Sequence, residues 1–131
     1  KRIVYLCVPL QTGSDRILKL MGRGQTRVND VVKVLEQYKR INPQLWLHTH
    51  MMISFPSETR DELAKTLLIS AMFDDIGFFE YSDVSKVAST RLKGHLDIKT
   101  RKSRLSMVES FVKITKKGTL DSDFDVMTST V

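Results

Sequence analysis

Residues 45–62 read Leu-Trp-Leu-His-Thr-His-Met-Met-Ile-Ser-Phe-Pro-Ser-Glu-Thr-Arg-Asp-Glu, and the fold follows from the change of period within them. The apolar run Leu45 to Phe55, interrupted by His48 and His50, reads as a strand. Pro56 and Ser57 turn the chain. Thr59 to Glu62 then forms an S/T-x-x-E capping box, with Asp61 and Glu62 at the positive end of the helix dipole. Leu63, Thr66, Leu67 and Ser70-Ala71 make the inner stripe of that helix, and Gly77 lies a few residues past its end. A strand leading directly into a helix is one βα unit.

The same alternation extends both ways. Upstream, Ile3-Val4-Tyr5-Leu6-Cys7-Val8 is a continuous apolar run, as expected of a strand covered on both faces. Pro9 ends it. Ser14 caps a short helix presenting Ile17, Leu18 and Met21, and Gly22-Arg23-Gly24 breaks that helix. Thr26 caps a longer one whose stripe is Val28, Val31, Val32, Leu35 and Tyr38, stopped by Asn42-Pro43. Downstream, Phe78-Phe79-Glu80-Tyr81 is a third strand. A polar, irregular stretch covers 82–100, and Leu105, Val108, Phe111 and Val112 mark a last helix. The class is α/β, a parallel three-stranded β-α-β-α-β arrangement with strands at 3–8, 45–54 and 77–82, since parallel partners need a crossover. Three parallel strands leave two open edges, so the chain reads as a slice of a larger barrel or sheet, with self-association through an open edge as one consequence. Residues 1–117 form the domain and 118–131 a polar tail or linker.

At 131 residues the chain is the size of one domain, and its 41% apolar content allows a core. No apolar run reaches the roughly 18 residues of a membrane span, which excludes an integral membrane protein of the helical kind. The single cysteine, Cys7, excludes a disulfide framework and points to a cytoplasmic setting. The net charge is +6, from 21 basic against 15 acidic side chains. Residues 1–50 hold nine basic and three acidic residues, hence all of that excess. A second basic stretch comprises Arg91, Lys93, Lys99, Arg101, Lys102 and Arg104, against only Asp97. Such clusters suit a nucleic-acid backbone, whose binding rests on counterion release.

Each strand end carries a motif: Pro9-Leu10-Gln11-Thr12-Gly13-Ser14-Asp15-Arg16-Ile17-Leu18-Lys19-Leu20-Met21, then Ile53-Ser54-Phe55-Pro56-Ser57-Glu58-Thr59, then Tyr81-Ser82. In order and spacing these resemble the radical S-adenosylmethionine enzymes, and most closely the methylthiotransferase group. There, PLQSGSDRILKLM followed by a basic residue and glycine ends the fourth barrel strand, GFPGET the fifth and YS the sixth. The resemblance covers roughly residues 3–115. It implies the second half of a partial, six-stranded (β/α) barrel of TIM type. The half with the first three strands, and its CxxxCxxC loop for a [4Fe–4S] cluster, is not among these residues, so the cluster ligands are not in this chain. In similar enzymes the reduced cluster cleaves S-adenosylmethionine to a radical that activates an adenosine carbon of tRNA for methylthiolation. The chain by itself is expected to be inactive. Residue by residue, the resemblance puts Gln11 and Ser14 beside the ribose and methionine parts of S-adenosylmethionine. Ser54 and Glu58 fall on the fifth-strand glycine and glutamate, and Tyr81 lies where the sixth strand approaches adenine. Catalytic residues are not assigned.

The chain departs from the pattern in places. Ser54 and Ser57 replace family glycines, and serine tolerates positive φ poorly. Residues 83–89 replace the usual Pro-Arg-x-Gly-Thr-Pro. Cys7 replaces a usual histidine and His50 a usual aspartate. His48 and His50, at i and i+2, point to one face and are read as a substrate-facing pair; with no third ligand nearby in sequence, no metal residue is assigned. Cys7 is read as an inert core thiol, and Met51-Met52 as core. Gln-Thr-Gly-Ser resembles the tRNA-modifying branch more than the ribosomal-protein-modifying branch, where Gln-His-Ala-Ser is usual. The partner expected is therefore tRNA. The alternatives are another radical S-adenosylmethionine enzyme, cobalamin-dependent or acting on ribosomal protein, and a non-enzymatic α/β module binding nucleic acid.

Overall fold

The computed structural model describes residues 5–82 and 93–120. The strand start at Ile3-Val4, Arg91, the motif departure at 83–89 and the end of the tail, 121–131, lie outside the described residues. In chain order the elements are β1 (Tyr5–Cys7), α1 (Asp15–Leu20), α2 (Val28–Ile41), β2 (Trp46–Ile53), α3 (Arg60–Ser70), β3 (Asp75–Glu80), α4 (Ile98–Thr115) and β4 (Thr119–Leu120).

The sheet is parallel throughout, in the order β1-β2-β3-β4. Cys7 pairs with His48, and His48 in turn with Asp75, which fixes the register across the first three strands. The sequence reading expected three strands; Thr119–Leu120 add a fourth beside Gly77 and Phe78. Only two residues long and without an apolar period of its own, that strand gave no sequence signal.

One face of the sheet carries the main core; on the other, Ile17, Phe55 and Tyr81 pack with Met21 and Met52 at the carboxyl ends of the strands, where Phe79 is also buried. Leu47, Met51, Ile53, Ile76 and Phe78 form a single core with Leu18, Val28, Leu35, Leu63 and Val108 from the helices. Tyr5 (61% exposed), Cys7 and Trp46 (44% exposed) lie on the opposite face. The expectation that the first strand is covered on both faces, with Cys7 an inert core thiol, is therefore corrected. Side chains alternate along a strand, and the main core takes the side of Leu6 and Leu47, leaving Tyr5 and Cys7 outside it.

Two local expectations hold. Ser14 caps α1 by accepting from Ile17 N–H, and both halves of the Thr59–Glu62 capping box are made. Two others change. Arg27, not Thr26, occupies the α2 cap position and makes no side-chain cap bond; Asp15 Oδ1 instead accepts from Val28 N–H at 2.8 Å. Tyr38 is half exposed at the outer edge of the α2 stripe. Among the described residues no helix is long and apolar enough to cross a membrane.

Candidate functional site at the carboxyl ends of the strands

Parallel strands deliver all their carboxyl ends to one rim, and the three motifs meet there. Beyond the Pro9 break, Gln11 rejoins the sheet in a parallel bridge to Met51. Its N–H donates to His50 O at 2.9 Å, and its carbonyl accepts from Met52 N–H at 2.8 Å. Buried Thr49 spans the interruption, accepting from Leu10 N–H and donating to Val8 O at 2.6 Å. Ser54 follows the last residue of β2. Tyr81 extends β3 by donating its N–H to Ile53 O at 2.8 Å, and its ring stands edge-on to Phe55 at 5.4 Å. Gln11, Ser54 and Tyr81 thus sit side by side.

Three non-glycine residues on this rim have positive φ: Gln11 (78°), Ser54 (63°) and Ser57 (68°). Each such residue costs on the order of 1–2 kcal/mol, and strain of this kind concentrates at functional sites. The two serines stand where the resembled motif has glycine, so the backbone there keeps a glycine conformation without the glycine.

Glu58 turns back under the loop. Its Oε1 accepts from Ser54 N–H at 2.9 Å and makes a long contact of 3.4 Å with Arg104 Nη1, whose main bond is to Glu58 O at 2.9 Å. The carboxyl is fully buried, and desolvation pushes its pKa up to about 7, against the opposing pull of the Ser54 N–H and Arg104. Among the described residues, Gln11 Oε1, Ser54 Oγ and Glu58 Oε2 are buried polar atoms with no hydrogen-bond partner. Leaving such an atom unpaired costs about 1–3 kcal/mol, so three on one rim call for an explanation.

Ser14 is arranged differently from the other sequence candidates. Its hydroxyl donates to Glu62 Oε2 at 2.7 Å while accepting from Ile17 N–H. Glu62 also accepts from Arg16 (2.7 and 2.9 Å) and from Thr59 N–H, and the Arg16 bonds chiefly hold its pKa down to about 2. Ser14 therefore works as part of a clasp joining the loop after β1 to α3. Gly13 makes the clasp possible: a Cβ there would lie 2.8 Å from the backbone of Lys65 and Thr66.

Sequence reasoning missed two members of the rim. Arg101 bonds the Tyr81 carbonyl and Glu80 Oε2, and buried Arg104 holds Glu58. Both belong to the stretch whose charge suggested a basic surface. The helix begins at Ile98, inside the stretch read as irregular, and 101, 104 and 108 then share its inner face. That period was the available signal. Lys93, Lys99 and Lys102 remain exposed.

Below the rim, on the sheet face opposite the main core, His48 Nδ1 bonds Asp75 Oδ2 at 2.8 Å, and the His48 and His50 rings meet edge-on at 4.8 Å. Burial, followed by His48, lowers the His50 pKa, and burial raises that of Cys7.

No family model matches the chain. Among curated proteins, the ribosomal protein uS12 methylthiotransferase RimO of Chlorobium chlorochromatii is 36% identical over 104 residues, covering 78% of this chain and 24% of that protein. The chain is a methylthiotransferase homologue. The Fervidobacterium nodosum uS12 methylthiotransferase is 34% identical over 107 residues, covering 80% of this chain and 25% of its own length. The tRNA-2-methylthio-N(6)-dimethylallyladenosine synthase of Buchnera aphidicola is 33% identical over 107 residues, 80% of this chain and 24% of the synthase. This methylthiotransferase homologue thus spans about a quarter of the length of the curated relatives it matches, and those relatives are enzymes.

Proposed function

We propose that this chain is the second half of a radical S-adenosylmethionine barrel, part of a methylthiotransferase that modifies tRNA adenosine. The observation that carries the reading is the rim. Gln11, Ser54 and Glu58, three of the positions that the motif resemblance assigns to the cofactor, are the residues whose buried polar atoms lack partners among the described residues. An amide oxygen, a hydroxyl and a carboxyl suit the ribose hydroxyls and the amino group of S-adenosylmethionine. Tyr81, held against Phe55, offers a ring beside the adenine, and Ser14 with Glu62 fixes the loop that carries Gln11. The sheet face on which Tyr5 and Trp46 are exposed is the surface a preceding half-barrel would close.

S-adenosylmethionine and a cluster held outside this chain supply the radical and methylthio chemistry when bound. One cysteine cannot hold a [4Fe–4S] cluster. The residues here bind, orient and shield the cofactor, and Arg104 keeps the Glu58 loop in place.

Two features favour tRNA: the Gln11-Thr12-Gly13-Ser14 motif, and the exposed cations Lys93, Lys99 and Lys102 near the rim. An alanine at position 13, usual in the ribosomal-protein-modifying branch, would strike the α3 backbone in this chain. The names of several relatives favour uS12 as the second reading. The complete protein, cluster-loaded and reduced, should methylthiolate unmodified tRNA, detected as a methylthioadenosine by nucleoside mass spectrometry. Modification of uS12 with tRNA untouched would select the second reading, and neither product would refute the activity.

A further inference from the structure

We propose that Cys7, His48 and His50 form a binding site for a borderline divalent cation of the zinc class, on the sheet face opposite the main core. One ligand atom from each of the three lies within 4.8 Å of the other two. Cysteine thiolate with two imidazoles is a donor set that zinc prefers, and three protein ligands leave the fourth tetrahedral position for water or another molecule.

The strands build this site. Register places Cys7 beside His48, and the two-residue period puts His50 on the same face. Gly77, the register partner of His50, makes room for its ring: a Cβ there would lie 3.0 Å from His50 Cδ2. Asp75 accepts from His48 Nδ1, which leaves the Nε2 lone pair to the metal and matches the carboxylate–histidine–metal arrangement of established sites. Zinc bonds of 2.0–2.3 Å require ligand atoms about 3.3–3.8 Å apart. From separations within 4.8 Å, side-chain adjustments of about 1 Å bring the three atoms to that spacing. Binding converts the thiol to thiolate and releases its one proton to solvent.

Cys7 and His50 occupy two of the positions where the chain departs from the family motif, and none of the trio is among the rim residues assigned to the cofactor. The proposal stands apart from the methylthiotransferase reading and is tested without it. The purified 131-residue chain is titrated with Co²⁺ and, separately, Zn²⁺. One metal per chain is expected, with a sulfur-to-cobalt charge-transfer band in the near ultraviolet. Cys7→Ser should abolish that band and weaken Zn²⁺ binding at least about 100-fold, with an unchanged far-ultraviolet circular dichroism spectrum. Asp75→Asn should keep the band while weakening affinity about 10–100-fold. His95→Gln, away from the trio, should change neither. Absence of the band in the wild-type chain, its survival in Cys7→Ser, or its loss in His95→Gln would overturn the site.

Discussion

Replacing Glu58 with glutamine is expected to make the protein more stable than the wild type at pH 8, and the advantage should vanish on acidification. The carboxyl titrates at 4.5 unfolded and at about 7 in the fold, because burial disfavours its charge. Between those values the native state binds more protons than the unfolded state, so stability falls as pH rises. At about 1.36 kcal/mol per pH unit, the wild type should lose about 3 kcal/mol from this group between pH 4 and pH 8. Glutamine keeps an acceptor for the Ser54 N–H and carries no charge to desolvate. Glu62 works in the opposite sense. Its pKa, lowered to about 2, adds stability above 4.5 that is lost as pH falls through 2, and screening around exposed Arg16 keeps that contribution small. Urea denaturation of both proteins from pH 4 to pH 8.5 reads the difference directly. Parallel stability curves would mean that Glu58 is not the buried, proton-retaining group described here.

Gly13→Ala is expected to destabilise by about 3 kcal/mol, the upper part of the range for overpacking. The added methyl meets the backbone of Lys65 and Thr66 at 2.8 Å, and backbone in mid-helix cannot move aside as a side chain does. Displacing α3 would also stretch the bond from Gly13 N–H to Thr66 Oγ1, now 2.8 Å, and the Ser14–Glu62 bond. Gly22→Ala is the control. Gly22 has φ +83°, but an added methyl there would meet nothing within 4 Å, so only about 1 kcal/mol of backbone strain is expected. Thermal melts should separate the two variants by several degrees. Equal shifts would show that conformation, not close approach, sets the requirement at position 13.

These contrasts explain which features the sequence disclosed. The parallel order of the first three strands and the Thr59–Glu62 box were legible because each rests on local pattern: an apolar run, a turn, a cap. Cys7 was misread because an apolar run does not reveal which strand face the helices will take. Arg101 and Arg104 were misread because a guanidinium on an inner helix face looks, in one dimension, like any other basic residue. Their partners lie 20 and 46 positions away, at Tyr81 and Glu58. At the rim, Gln11, Ser54 and Glu58 were found through motif spacing. What spacing could not give is that their polar atoms lack partners among the described residues, which depends on how the ends of β1 and β2 meet.

The central claim is that these atoms are left for S-adenosylmethionine, and a titration tests it most directly. In the complete, cluster-loaded protein, S-adenosylmethionine affinity is measured for the wild type, Gln11→Ala, Glu58→Ala and Lys102→Ala. A lost polar contact of about 1–3 kcal/mol predicts weakening of roughly 5- to 150-fold for the first two variants. Lys102→Ala should bind the cofactor as the wild type does while losing tRNA affinity in a salt-dependent way. Unchanged cofactor affinity in both Gln11→Ala and Glu58→Ala would contradict the account, leaving the fold and the family without this site.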